Sequence, residues 1–191
     1  PIGLLESGQT ERLCDIRARE VLSKGRASSV FRVPVREAVY AADYAQASLI
    51  NYQKTGKKLS KQSWNISAKI RELDTFLRKH PALVDRIYEA HPELCFEGLA
   101  GHALEHRKAI RDGFNERLQL LTLLEQKTTS VIARAWLEHG GYELGRDDIL
   151  DACILALSAH YFSYCRSLPE EPPRDRHGLP MRIVYLAEKP P

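Results

Sequence analysis

The stretch from Asp147 to Arg166 constrains the fold more than any other. Its apolar tract, Ile149 to Phe162, is interrupted by Asp151 and His160. A run of this length and composition predicts the longest and most apolar helix of the chain, buried on most sides. It falls short of the roughly 20 residues that span a bilayer, so no membrane partner is expected. With 43% hydrophobic residues in 191, the chain has enough apolar surface for one compact domain with an elaboration. The net charge of +3, from 28 Lys+Arg against 25 Asp+Glu, neither demands nor excludes a phosphate backbone as partner.

The remaining apolar spacing organises around this helix. Glu11 to Ser23 reads as a surface helix that stops at Gly25, and Val35 to Thr55 as an alanine-rich helix broken by Gly56. Ile66, Ile70, Leu73 and Leu77 recur at three and four residues and predict a helix over Trp64 to Arg78. Gly113 to Gln126 and Ser130 to Glu138 are helical in pattern, the latter stopping at Gly140-Gly141. Extended segments are expected over Ser28 to Pro34, over Leu83 to Pro92 and, after a loop at Pro169 to Gly178, over Met181 to Leu186. Cys14, Cys95, Cys153 and Cys165 lie far apart, form no C-x-x-C pair and suit a reducing compartment, so a soluble, cytoplasmic protein is expected.

The strongest chemical signal is Asp147-Asp148-Ile149-Leu150-Asp151. On a helix, Asp151 shares a face with Asp147 and Asp148, four and three residues earlier. N-capping accounts for aspartates at a helix start. It does not account for Asp151, which interrupts an apolar helix and faces desolvation and like-charge repulsion. A divalent cation relieves both costs. The second signal is Glu89-Ala90-His91-Pro92-Glu93, where an extended backbone puts Glu89 and His91 on one face. Its simpler reading is an ion pair between Glu89 and an arginine. Acidic groups from two such elements could instead clamp two metal ions about 4 Å apart for phosphoryl chemistry. Downstream, Lys108 and Arg117 are candidates for contact with phosphate oxygens, with a solvated helix face as the simpler reading. His102 and His106 lack the order of a zinc-protease motif, and no Walker loop, G-x-G-x-x-G or G-x-S-x-G element is present.

Ordered along the chain are Pro1-Ile2-Gly3-Leu4, Arg12-Leu13-Cys14-Asp15-Ile16-Arg17-Ala18-Arg19, Ser28-Ser29-Val30-Phe31 with Pro34, and Leu59-Ser60-Lys61-Gln62 with Trp64. Lys69-Ile70-Arg71-Glu72-Leu73-Asp74, Glu89-Ala90-His91-Pro92-Glu93, then Lys108, Gly113 and Arg117 follow. Asp147-Asp148-Ile149-Leu150-Asp151-Ala152, Pro172-Pro173-Arg174-Asp175 and Met181-Arg182-Ile183-Val184-Tyr185 complete the set. Together these motifs resemble a family of uncharacterised prokaryotic proteins described as predicted nucleases with an RNase H-like fold.

That resemblance implies an α/β fold, a single RNase H-like domain over residues 1–191 whose mixed sheet is flanked by helices, with residues 8–82 as a helical insertion or cap. It implies a two-metal Mg²⁺ or Mn²⁺ site and phosphodiester hydrolysis. Glu89 would be the strand carboxylate, Asp148 and Asp151 the helix carboxylates, and Asp147 a cap or third ligand. Lys108, Arg117, Arg12, Gln62, Trp64 and His91 would face substrate, with Arg12, Asp15, Arg19, Gln62 and Trp64 in the insertion. The family pattern also has an acidic N-terminal strand before the Pro-Ile-Gly. Its absence here leads to an expectation of a helix-rich chain, incomplete at its N-terminus and poor in catalysis. The alternative is a non-catalytic module that binds nucleic acid or protein on the same scaffold. The sequence does not fix DNA against RNA, or the oligomeric state.

Overall fold

Side chains cap the starts of some helices in this chain, and two of these caps explain where the helices depart from the periodic pattern. The computed structural model describes residues 1–139 and 145–190. The chain is α/β and helix-rich, with two short strands, β1 (Cys165–Leu168) and β2 (Ile183–Leu186), paired antiparallel as the sheet among the described residues. It divides into two units, Pro1–Glu89 with Ser167–Ile183, and Ala90–Arg166 with Val184–Pro191.

The first unit contains α1 (Leu13–Val21), α2 (Arg36–Val39), α3 (Tyr44–Thr55), α4 (Lys61–Asn65) and α5 (Ser67–Lys79). The single helix expected over Val35 to Thr55 is two. The Asp43 carboxylate accepts the Gln46 amide at 2.8 Å, which restarts the chain as α3. Gly56, at φ 71°, closes α3 in the left-handed region. The Ser60 hydroxyl caps α4 through the Ser63 amide at 3.0 Å, so a short helix precedes the one expected from Trp64. The extended segment expected over Ser28 to Pro34 begins instead as a 3₁₀ turn, Ala27–Ser29, and its remainder joins no strand among the described residues. Among its apolar residues, Ile2, Leu77, Val84 and Leu179 form one buried cluster, and Leu4, Val33, Val39 and Ile70 another.

Arg36 ties this unit together. Its guanidinium is 4% exposed. It donates to Glu6 at 2.7 Å, to Asp74 of α5 at 2.5 Å, and to Asp175. The Tyr40 hydroxyl donates to the second Asp74 oxygen at 2.7 Å. Asp175 also accepts the amides of Leu4, His177 and Leu179, at 3.1, 2.8 and 3.0 Å. One buried cation thus fixes four sequence-distant segments, because a guanidinium removed from water must have its donors matched.

The second unit contains α6 (Pro92–Ala100), α7 (Arg111–Leu124), α8 (Thr128–His139) and α9 (Arg146–His160). The Gly140-Gly141 stop expected after α8 lies outside the described residues. Helix α9 is the longest described and packs against α6, α7 and α8. It is buried along one stripe, Ile149, Leu150, Ile154 and Ser158, and not on most sides. Alanines 152, 156 and 159 stand exposed on its other face, where small side chains cost little. The helix ends at His160, short of the expected Arg166, and the aromatic run from Tyr161 to Tyr164 turns the chain into β1.

The strand expected over Leu83 to Pro92 is absent. A 3₁₀ turn, Pro81–Leu83, is followed by turns, and only Ala90 makes an isolated bridge, parallel to Val184. Pro92 fits the first turn of α6, where no amide is needed, so the sequence that reads as a strand stop is a helix start. The strand expected over Met181 to Leu186 is present as β2, fully buried.

Replacing Arg36 by Ala leaves Asp175 buried without its cation and Asp74 with Arg78 alone, at 3.6 Å. It is expected to destabilise the fold by about 3–5 kcal/mol, measured by urea unfolding. The Asp43→Ala cap variant should lose only about 1 kcal/mol by the same measurement.

Candidate functional site

Three charged side chains converge in the second unit. The Lys108 ammonium lies 2.9 Å from Asp151 and 3.2 Å from Asp147, with Lys108 40%, Asp147 40% and Asp151 21% exposed. One turn of α9 brings the two aspartates onto the same face, as their spacing predicts. Asp148 does different work. Its carboxylate accepts the Gly145 amide at 2.9 Å and caps α9, which is the simpler reading of an aspartate in a first turn.

Lys108 is held by the loop that precedes α7. The Glu116 carboxylate accepts the amides of Glu105 and His106 at 2.7 and 3.1 Å, and Arg117 donates to the carbonyls of His106 and Gly113. Gly113 permits the close approach, since a Cβ there would sit 1.9 Å from the Arg107 carbonyl oxygen. This loop is not helical, so His102 and His106 share no helix face.

Burial pushes the Asp151 carboxyl above its ordinary value, and the hydrogen bond and charge of Lys108 pull it partly back. Burial alone would lower the Lys108 ammonium, but the hydrogen bonds and charges of Asp151 and Asp147 raise it. One oxygen of Asp151, Oδ1, is buried without a hydrogen-bond partner. Such an atom is costly unless a further group meets it. Beside this pair opens a cleft of about 430 Å³ whose walls include Lys108, Arg111, Asn115, Arg146 and Asp147.

Arg117 faces inward. It is 1% exposed, its guanidinium meets both oxygens of Glu93 at 3.0 and 2.7 Å, and it lies 5.6 Å from the centre of the Phe96 ring. Arg12, in the first unit, is equally buried. It donates to both oxygens of Glu89 at 2.8 Å each, to Asp15 at 3.0 and 2.5 Å, and to the Ile2 carbonyl at 3.0 Å. Glu89 also accepts the Ile2 amide at 2.7 Å. Burial would raise the Glu89 carboxyl, yet the charge and hydrogen bonds of Arg12 dominate and hold it down at about 2. This is the ion-pair arrangement that the sequence offers as the simpler reading of Glu89.

The other sequence candidates are spread over the chain. Gln62 is exposed on α4, and the Trp64 ring lies edge-on to Tyr44 at 6.4 Å. His91 is the extended residue before α6. Arg19 of α1 donates to the Val30 carbonyl at 2.8 Å and pairs with Glu11. Among the described residues no three His, Cys, Asp or Glu gather into a metal-holding group. None of their helices is long and apolar enough to cross a membrane.

The family described as Protein of unknown function (DUF429) matches residues 1–174. The chain belongs to the DUF429 family. No curated protein and no solved structure matches it. In this DUF429 chain the match takes in the buried Arg12 and Arg117 clusters and the Lys108–Asp147–Asp151 group.

The sequence reading missed Arg111, Arg146 and the Arg36 cluster. A signal for buried charge was present in α7, where Arg117 sits on the same stripe as Phe114 and Leu121, at positions that bury apolar side chains elsewhere.

Because the folded-state Glu89 carboxyl lies below its ordinary 4.5, its contribution to stability is complete above that pH. That contribution is lost as pH falls from about 4.5 to about 2, so acid unfolding followed by circular dichroism should lose part of its slope in this window in Glu89→Gln. Gly113→Ala should destabilise the second unit by about 1–3 kcal/mol in thermal melts, because the Arg107 carbonyl must move.

Proposed function

We propose that this DUF429 chain is a metal-dependent nuclease of RNase H-like design, hydrolysing phosphodiester bonds at the carboxylates of α9. The observation that carries the reading is the pair Asp147 and Asp151 closing on one cation, with a buried Asp151 oxygen still unmatched. This donor set fits one Mg²⁺ or Mn²⁺ ion, which proteins hold through one or two carboxylates, completing the shell with water and substrate phosphate. Asp147 and Asp151 would hold it. When bound, the ion would supply Lewis-acid polarisation of a phosphoryl oxygen and a more acidic water. The resemblance adds Glu89 as ligand to a second ion, and the Arg12 pairing leaves the case for metal resting on the aspartates.

The protein's own groups supply the rest. Asp147 and Asp151 bring the negative charge that a hard cation needs. Lys108 stands between them as a donor for a non-bridging phosphoryl oxygen, and Arg111 and Arg146 line the adjoining cleft with positive charge suited to a nucleic-acid backbone. A single observation favours the alternative, a binding module without turnover. The Lys108 ammonium already pairs with both aspartates, so the fold does not require a metal there.

Titration with Mn²⁺ separates the two readings. Metal binding to the folded form should raise the melting temperature, equivalent to about 2.7 kcal/mol at a hundredfold excess over Kd, and Asp151→Asn should abolish the rise. The same variant should cut Mn²⁺-dependent cleavage of labelled single-stranded DNA and RNA about 100-fold or more, while its metal-free melting stays put. Cleavage unchanged in Asp151→Asn overturns the assignment. Binding of the labelled strands that weakens steeply with salt, without turnover in any metal, establishes the binding module.

A further inference from the structure

We propose that the groove between α7, α8 and α9 seats a nucleobase whose 5′-phosphate lies in the adjoining basic cleft. The groove holds about 230 Å³, and its walls are almost wholly apolar, with Phe114, Leu118, Ile132, Trp136 and Ile149 among them. The cleft beside it, of about 430 Å³, is of a different character, with Lys108, Arg111, Asn115 and Asp147 in its walls. The two compartments share Phe114 and Arg146. A mostly apolar pocket with a few convergent polar groups is the usual form of a small-molecule site, and the cleft alone falls within the ~300–1,000 Å³ typical of one.

Arg146 joins the two halves. Its guanidinium lies 4.9 Å from the centre of the Trp136 ring, and the same side chain lines the charged cleft. Stacked aromatic and guanidinium surfaces receive flat, polarisable rings with little regard to base identity. The half-buried Trp136 and Phe114 provide such surfaces on two helices. The cleft supplies the complementary charge. The exposed Arg111 and Arg146 add cations for an anionic group to Lys108, which also pairs with Asp147 and Asp151. Asn115, exposed on α7, offers both a donor and an acceptor at the boundary. A long acyl chain with a carboxylate would also match an apolar groove beside a cation, but a 230 Å³ groove with aromatic walls suits a compact flat ring better.

The inference deepens the nuclease reading, resting on it for the class of ligand, and it is tested without metal so that the two fail separately. In EDTA, the probes are adenosine 5′-monophosphate, adenosine, inorganic phosphate and octanoate, with intrinsic tryptophan fluorescence and calorimetry as readouts. The monophosphate should quench the fluorescence and bind about tenfold more tightly than either adenosine or phosphate alone. Arg111→Ala should weaken the monophosphate about fivefold or more and leave adenosine unchanged. Ala133→Phe, which fills the groove from an exposed position on α8, should weaken both, with unchanged melting as proof of folding. A 5′-phosphorylated tetranucleotide binding as tightly as the monophosphate identifies a strand end as the source, and tighter monophosphate binding identifies the free nucleotide. Absence of monophosphate binding at millimolar concentration, indifference to both substitutions, or displacement of the monophosphate by octanoate overturns the proposal. Cleavage lost in Asp151→Asn with monophosphate binding intact would confirm that the seat and the metal chemistry are separate properties.

Discussion

Burying a guanidinium is expensive, and this fold does it three times. Arg12, Arg36 and Arg117 are each at most 4% exposed, and each is matched by carboxylates. A planar guanidinium has five fixed donors, so every buried arginine dictates where its acceptors must lie. Arg12 gathers Asp15, Glu89 and the Ile2 carbonyl. Arg36 gathers Glu6, Asp74 and Asp175, which come from the N-terminal segment, α5 and the late loop. Arg117 fixes Glu93 of α6 against α7. Hydrophobic clusters of four residues, such as Leu4, Val33, Val39 and Ile70, supply burial without direction. The ion pairs supply the register.

The same constraint sorts the acidic residues by what meets them. Glu89 and Glu93 have both oxygens engaged by an arginine, and Asp148 closes a helix start. Asp147 and Asp151 are shared with a half-exposed lysine at the wall of a cleft, and one Asp151 oxygen lacks a partner. An arginine pair is bidentate and planar, whereas an ammonium is a compact point charge that can exchange partners without breaking a fitted geometry. The carboxylates paired with arginine are thus held in fitted geometry, whereas Asp147 and Asp151 share a cation that can exchange partners.

Several elements were legible in the chain itself. The helices α1, α7 and α8 and the strand β2 follow from apolar spacing, as does the meeting of Asp147 and Asp151 on one helix face. The misreadings share a cause. Leu83 to Pro92 alternates like a strand, and Val35 to Thr55 is spaced like one helix, but the proline in the first turn of α6 and the Asp43 cap of α3 redirect the backbone. A cap is a local hydrogen bond worth about 1 kcal/mol, enough to choose between two conformations of similar burial.

What the sequence determined by itself is the helix-rich composition and the placing of Asp147 and Asp151 one turn apart on one helix face, because each depends on contacts within a few residues. Only the tertiary structure decided that Lys108 answers Asp151 from 43 positions away, that Glu89 belongs to Arg12 across 77, and that Arg146 spans an apolar groove and a charged cleft. Periodicity records which face of an element is buried. It carries no information on which distant charge will meet a buried one, since that choice is made by desolvation once the elements have packed.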